Sequence, residues 1–229
     1  MRLFQNNCSD FFCFYEQSND IMFNRGDDYM NKKIGMIGSI INVITILLFA
    51  LFLIIDFKFG YFFVCILLSL SFIMMIAGLE NECTEDNKVA GKIALILAGV
   101  YSTLIMIVYF TQCTSVLNDN LSKEALKVLD YSNMGLMFNL DLLGYAIMAL
   151  STFFIGLTLN VRNSKDKALK YLLLIHGVFF ISCLIMPMTG IFANHSASGS
   201  MGGVIALEIW CLYFLPIGIL SYFHFKNNK

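Results

Sequence analysis

Charged residues and prolines are both scarce in this chain of 229 residues. Only 14% of the residues are charged and 58% are hydrophobic, whereas a soluble domain is about 25% charged. This imbalance indicates that the protein folds in lipid rather than in water. The 2 prolines fit long helices, and no segments of about ten residues alternate in hydrophobicity, as those of a membrane β-barrel do. We therefore predict an all-α membrane protein.

Several kinds of functional motif are missing as well. The net charge is −1 and no basic block is present, so nucleic acid is not an expected partner. The 7 cysteines form no C-x-x-C pair and the 3 histidines are far apart, so we expect neither a metal nor a cofactor. No nucleophile motif or arginine-rich phosphate site accompanies the acidic residues. An enzyme is therefore less favoured than a binding protein.

Six apolar runs are long enough to cross a bilayer as helices. Between them lie turn signals and charges, such as the acidic segment GLENECTEDNK and the polar segment NVRNSKDK. The sequence therefore predicts an integral membrane bundle of six transmembrane helices that forms a single domain. The predicted crossings are 34–55, 59–79, 89–110, 140–159, 169–192 and 204–225.

The distribution of lysine and arginine predicts the orientation of this bundle. Cytoplasmic segments retain these cations, so the side with more of them is expected to be inside. Of the 15 lysines and arginines, all except Lys58, Lys123 and Lys127 fall on the side that contains both termini. Both termini are therefore predicted to be cytoplasmic. The wealth of Ile, Phe, Asn, Lys and Met is typical of AT-rich bacteria, so we expect a bacterial cytoplasmic membrane.

Two further segments carry expectations of their own. Residues 1–29 show no amphipathic period, whereas the lysines and the apolar helix that follow Met30 resemble a translation start. We interpret 1–29 as a non-native or disordered extension. On the outer side, residues 118–130 are predicted to form a short amphipathic segment, with Lys123 and Lys127 toward water.

Small and polar residues inside the crossings are expected to join the helices. Ala94, Ala98 and Ser102 follow one another every fourth residue, as does Ala90 before them, and such a ridge allows close helix approach. His176 and Asn42 are expected to make hydrogen bonds between helices. These features predict packing contacts rather than a reaction site.

Two acidic residues lie within predicted crossings, where a charge costs about 2.5 to 3.5 kcal/mol at the centre. Asp141 and Glu208 both lie near the outer ends of their predicted helices, at similar depth. Gln112 closes the third helix at this level, and Tyr145 lies one turn after Asp141. We predict that these four residues form an outward polar ligand-binding pocket. The alternative is that each acid reaches headgroup water near a helix N-terminus.

Three functions remain open from the sequence. The first is small-molecule or ion binding and transport through the outward pocket. The second is a non-catalytic accessory or regulatory subunit, which would offer the Ala90–Ser102 ridge to a partner membrane protein. The third is a lipid-modifying intramembrane enzyme that would use the two carboxylates as acid and base. Membrane lipid is a partner in every case.

Overall fold

The protein is all-helical in the part of the chain that its computed structural model describes. Described are the backbone of 5–118, 121–190 and 201–227, and the side chains of 29–118, 121–190 and 203–227. Six helices in these ranges are long and apolar enough to cross a membrane. The predicted number of crossings is therefore confirmed, and the chain is a multi-pass membrane protein by helix length and composition. The interpretation of 1–29 stays a prediction, and His195 lies outside the described residues.

The helices are numbered α1 to α8 in chain order. A π-helical turn, Gln112–Val116, follows α3, and a 3₁₀ turn, Tyr131–Asn133, follows α4. The membrane-length part of α1 is Tyr29–Ile54. The bounds are α1 Gln5–Ile54, α2 Lys58–Glu80, α3 Lys88–Thr111, α4 Lys123–Leu129, α5 Leu136–Thr158, α6 Ser164–His176, α7 Phe179–Met188 and α8 Met201–Asn227.

The fifth crossing differs from the single helix predicted at 169–192, because it consists of α6 and α7. At their junction the amides of Gly177 and Val178 bond three residues back instead of four. A Cβ on Gly177 would lie 2.8 Å from Cβ of Phe153 in α5, so the glycine permits close contact there. The crossing also ends early, at Met188, because Gly190 takes a left-handed φ of 70°.

The bundle has two ends, which we name from their features. The α4 end contains α4, the turn between α1 and α2, and the start of α5. The His224 end contains the α2–α3 and α5–α6 connections together with the last turns of α8. Between the ends, α2 packs on α1 and α3, α5 packs on α3, α6 and α7, and α8 packs on α1 and α6.

The ridge of small residues on α3 is covered within the chain. Ala94, Ala98 and Ser102 are fully buried. Ser102 donates a hydrogen bond of 2.8 Å to the carbonyl of Ser69 in α2, and Ser151 of α5 donates one of 2.7 Å to the carbonyl of Ala94. An accessory subunit would therefore need a different surface for a partner helix.

The predicted hydrogen bonds between helices are confirmed. Asn42 of α1 donates to Ser71 of α2 over 3.3 Å. His176 of α6 lies 2.7 Å from the hydroxyl of Thr152 in α5 and accepts a 3.3 Å bond from the indole of Trp210 in α8. Because each contact joins two separate helices, these polar groups stabilise the bundle.

Candidate functional site

Asp141 lies in the second turn of α5 and is buried, with 3% of its surface exposed. The Tyr131 hydroxyl donates a 3.1 Å hydrogen bond to its Oδ2 atom. The Oδ1 atom has no hydrogen-bond partner among the described residues, although Tyr109 lies beside the carboxylate. Asp141 therefore does not sit in open solvent at the edge of the bundle. It is a carboxylate inside the protein with one oxygen unsatisfied.

Gln112 holds Tyr131 in position over this carboxylate. Its side-chain Nε2 donates 2.8 Å to the carbonyl of Leu129, and its Oε1 accepts a 3.0 Å bond from the amide of Tyr131. Gln112 is also where α3 changes to a π-helical turn, a feature frequent at functional sites. The two bonds therefore fix the connection between α4 and α5 against the end of α3.

Tyr131 remains a hydrogen-bond donor at neutral pH. Burial among aromatic rings, followed by the charge of Asp141, raises the pKa of Tyr131 well above its ordinary value. A phenol is a donor only while it carries its proton. The Tyr131–Asp141 bond therefore persists over the whole physiological pH range.

Aromatic rings from α3, from α5 and from the connection after α4 lie near Asp141, together with a thiol from α2. The ring centroids of Tyr131 and Tyr109 are 6.2 Å apart, and those of Tyr101 and Tyr145 are 5.9 Å apart. The thiol of Cys65 lies beside the hydroxyls of Tyr109 and Tyr145. The Tyr101 hydroxyl is fully buried and, like Asp141 Oδ1, has no partner among the described residues. We name this group the Asp141 cluster, and its members are Cys65, Tyr101, Tyr109, Tyr131, Asp141 and Tyr145.

Glu208 enters the same end of the bundle from α8. It is half-buried, and its Oε1 atom is buried without a hydrogen-bond partner in the described part of the chain. Within the described ranges, no hydrogen bond or ion pair connects it to Asp141. Cys211 connects Glu208 to the Asp141 cluster indirectly. It is close enough to interact electrostatically with Glu208 and with Cys65, a member of that cluster. The structure thus brings Gln112 and Tyr145 to Asp141 and leaves Glu208 beside the cluster.

A cavity of about 280 Å³ lies next to the Asp141 cluster at the α4 end. Phe62 lines this cavity and contacts Tyr131, with 5.8 Å between the ring centroids. Gln112 belongs to the wall as well. The cavity therefore adjoins the Asp141 cluster through the contact between Phe62 and Tyr131. The lining residues are Lys58, Phe59, Phe62, Gln112, Val116, Leu117, Asp130 and Ser132.

The His224 end holds a second buried carboxylate, Asp166, which is 1% exposed. Its Oδ1 atom lies 2.8 Å from Nδ1 of His224. Its Oδ2 atom accepts from the Arg162 amide over 3.1 Å and from the Asn163 side chain over 3.0 Å. Asn163 in turn caps the start of α6 by accepting from the amides of Lys165 and Asp166.

His224 connects this carboxylate to the α2–α3 connection. Its Nε2 atom lies 3.2 Å from Oε2 of Glu82, and Arg162 approaches the same oxygen at 3.4 Å. Both imidazole nitrogens face carboxylate oxygens, and both can donate only in the protonated ring. We name these residues the His224 cluster: Glu82, Arg162, Asn163, Asp166 and His224. They fasten two connections and α8 to one another.

Neither cluster has the composition of a metal site. In the side chains that the structure describes, no group of three or more His, Cys, Asp or Glu residues is arranged to hold a metal ion. The Asp141 cluster offers one carboxylate, phenols and a thiol, which can bind a proton or donate and accept hydrogen bonds.

Four residues of the Asp141 cluster, Cys65, Tyr101, Tyr109 and Tyr131, were not predicted as site residues. Tyr101 and Tyr109 lie eight residues apart in α3 and so share a helix face, which was a readable signal. Tyr131 follows directly after α4, in a connection whose path the sequence does not indicate. The chain matches no protein-family model, no curated protein and no solved structure.

Proposed function

We propose that this multi-pass membrane protein binds a proton or a small cation at Asp141 and carries it to or from the α4 end. One observation carries the proposal. Asp141 is almost completely buried, the hydroxyls that face it are the phenols of Tyr131 and Tyr109, and Oδ1 has no hydrogen-bond partner among the described residues. An unsatisfied buried polar group costs about 1 to 3 kcal/mol, so its retention is best explained by a ligand.

A structural role accounts for Asp141 less well. A carboxylate that only joins helices is expected to have donors on both oxygens, as Asp166 has at the other end of the bundle. Ionisable groups within membrane helices usually face the bundle interior and mark ion or substrate pathways. Asp141 has that position, and a cavity at the α4 end adjoins its cluster through Phe62 and Tyr131.

In this proposal, the distribution of lysine and arginine side chains sets the orientation of the bundle in the membrane. Of the 12 lysines and arginines whose side chains the structure describes, all but Lys58, Lys123 and Lys127 lie toward the His224 end, so that end and both termini are cytoplasmic. The cavity and the Asp141 cluster then face the outside of a cytoplasmic membrane. Gln112 and Tyr145 belong to the site through their contacts with the cluster, and Glu208 supplies a second carboxylate from α8.

Charge movement in proteoliposomes tests this proposal directly. Purified protein on a solid-supported membrane receives jumps in pH or in cation concentration, and the displaced charge is recorded. We expect a transient current from the wild-type protein and none from Asp141→Asn, which keeps the side-chain shape. Asp86→Asn removes an exposed acid at the opposite end and should behave as wild type.

The same recording assigns the role of Glu208. If Glu208 belongs to the binding site, Glu208→Gln reduces the displaced charge or shifts the concentration at which it is half-maximal. An unchanged current in Glu208→Gln would restrict the site to the Asp141 cluster. An unchanged current in Asp141→Asn would refute the proposed function.

A further inference from the structure

We propose that the ligand of the Asp141 cluster is a small organic cation with a primary ammonium group. This inference rests on the function proposed above and names the class of its ligand. It follows from two unsatisfied polar atoms, from the rings around them and from the cavity that adjoins them.

The unsatisfied atoms call for a hydrogen-bond donor. Asp141 Oδ1 and the Tyr101 hydroxyl are both buried without a partner among the described side chains, and Tyr101 lies within electrostatic range of Asp141. A primary ammonium group carries three N–H donors and one positive charge. Such a group can donate to a carboxylate and to a phenol oxygen, and charge-assisted bonds of this kind are the strong ones.

The aromatic rings favour the same ligand. A cation is attracted to the face of a Tyr or Trp ring within about 6 Å of its centroid. Tyr145 lies between Tyr101 and Trp210, whose ring centroids are 5.9 Å and 5.3 Å away. Tyr109 and Tyr131 flank the carboxylate on the other side. One negative charge enclosed by aromatic rings is an arrangement that recognises organic ammonium ions.

A divalent metal ion fits this cluster poorly. Calcium takes six to eight oxygen ligands and magnesium demands a nearly ideal octahedron. The cluster supplies one carboxylate, and no metal-binding group of three or more acidic, Cys or His side chains occurs in the described ranges. The single charge of an ammonium ion matches the single charge of Asp141.

The cavity indicates what the rest of the ligand is. Phe59, Phe62, Val116 and Leu117 give its wall an apolar part, while Lys58 and Asp130 bring one charge of each sign. A short aliphatic or aromatic tail can occupy the apolar part while the ammonium group reaches past Phe62 and Tyr131 to Asp141. The geometry thus points to a primary amine with a small apolar substituent.

Trp210 provides a built-in reporter for the experiment. It is the 1 tryptophan in the chain, and its ring contacts Tyr145 of the cluster. The probe is n-butylammonium chloride, added to the protein in lipid nanodiscs while Trp210 fluorescence is recorded. Tetramethylammonium chloride has the same charge but no N–H group, and sodium chloride controls for ionic strength. We expect a saturable change with n-butylammonium and none with sodium chloride.

Two variants test whether the change in Trp210 fluorescence depends on Asp141 Oδ1 and on the Tyr101 hydroxyl. Asp141→Asn should weaken n-butylammonium binding about ten- to a hundredfold, because a charge-assisted bond is lost. Tyr101→Phe should weaken it about three- to tenfold and should fold normally, because it removes a buried hydroxyl without a partner. Tyr171→Phe makes the same chemical change at an exposed position and should bind as wild type.

The outcomes separate this inference from the proposed function. If n-butylammonium fails to bind while the Asp141-dependent current persists, the ligand class is wrong and the function stands with a proton or another cation. Equally tight binding of tetramethylammonium would overturn the role of the N–H donors. If the current is also independent of Asp141, both proposals fail together.

Discussion

Asp141 and Asp166 are both almost completely buried, one at each end of the bundle, yet their surroundings differ. Asp166 receives hydrogen bonds on both oxygens, from a histidine, a backbone amide and an asparagine. Asp141 is faced only by phenols among the described residues: Tyr131 donates to Oδ2, Tyr109 lies beside the carboxylate, and Oδ1 has no hydrogen-bond partner. Burial alone therefore does not distinguish a structural acid from a functional one, whereas the number and charge of the partners do.

The difference has a physical cause in the chain. The partners of Asp166 belong to the α5–α6 connection and to α8. A short polar stretch and one histidine therefore supply hydrogen bonds to both of its oxygens. The surroundings of Asp141 come from membrane helices that offer rings and a thiol. Phenols carry no charge, so they leave the charge of a carboxylate uncompensated. The His224 cluster therefore locks its end, while the Asp141 cluster can accept a ligand.

The largest expected effect comes from removing Asp166. Asp166→Ala removes the acceptor that faces His224 Nδ1, the Arg162 amide and the Asn163 side chain, and breaking a buried ion pair typically costs about 3 to 5 kcal/mol. We expect the free energy of unfolding to fall by about that amount, measured by SDS titration in mixed micelles. Asp86→Ala, at an exposed position, should stay within about 0.5 kcal/mol of wild type. A similarly small effect in Asp166→Ala would mean that the His224 cluster does not hold its end together.

The packing at the His224 end predicts a second loss. A Cβ on Gly78 would lie 2.7 Å from Cα of Gly35 and 2.9 Å from the Phe225 ring, so Gly78→Ala forces α1 and α8 away from α2. Overpacking of this kind costs about 1 to 3 kcal/mol, measurable by the same titration. Gly99→Ala is the matched control, because no atom lies within 4 Å of its added Cβ. That variant should gain up to about 1 kcal/mol from helix propensity.

The fold was largely predictable from the sequence, and the partners of the site were less so. Six apolar runs predict six crossings because lipid admits few alternatives to helices. The helix-joining roles of His176 and Asn42 were predictable as well. The break at Gly177 was not, since it depends on contact with Phe153, which is distant in sequence.

The contact between Tyr131 and Asp141 shows what could not be predicted from the sequence. Tyr131 reaches the carboxylate because Gln112 fixes the connection after α4, and no pattern in the sequence indicates such a tertiary bond. Glu208 and Asp141 have the same depth by counting residues, yet helix rotation and packing decide whether two side chains meet. Residue counts along separate helices predict depth, and they do not predict direction.

Gln112 gives the third expected effect. Gln112→Ala leaves the Leu129 carbonyl and the Tyr131 amide without their partners, and we expect a loss of about 1 to 2 kcal/mol in the free energy of unfolding. Tyr131 should also lose its fixed position, so the displaced charge in proteoliposomes should change together with stability. Thr111→Ala is a suitable control, because that exposed side chain bonds only within its own helix. A fall in stability with an unchanged current would make Gln112 purely structural.

The smallest effect on stability is expected for Asp141→Asn. The sign of this change in the free energy of unfolding distinguishes Asp141 from Asp166 at the other end of the bundle. Asparagine keeps an acceptor for the Tyr131 hydroxyl and removes a charge that has no compensating cation among the described residues. The variant should therefore be as stable as wild type, or more stable by up to about 1 kcal/mol. Asp166→Asn should be destabilised in the same titration, because the acceptor facing His224 loses its charge. If Asp141→Asn instead lost as much stability as Asp166→Asn, Asp141 would be a structural acid like its counterpart, and its unsatisfied oxygen would no longer argue for a ligand.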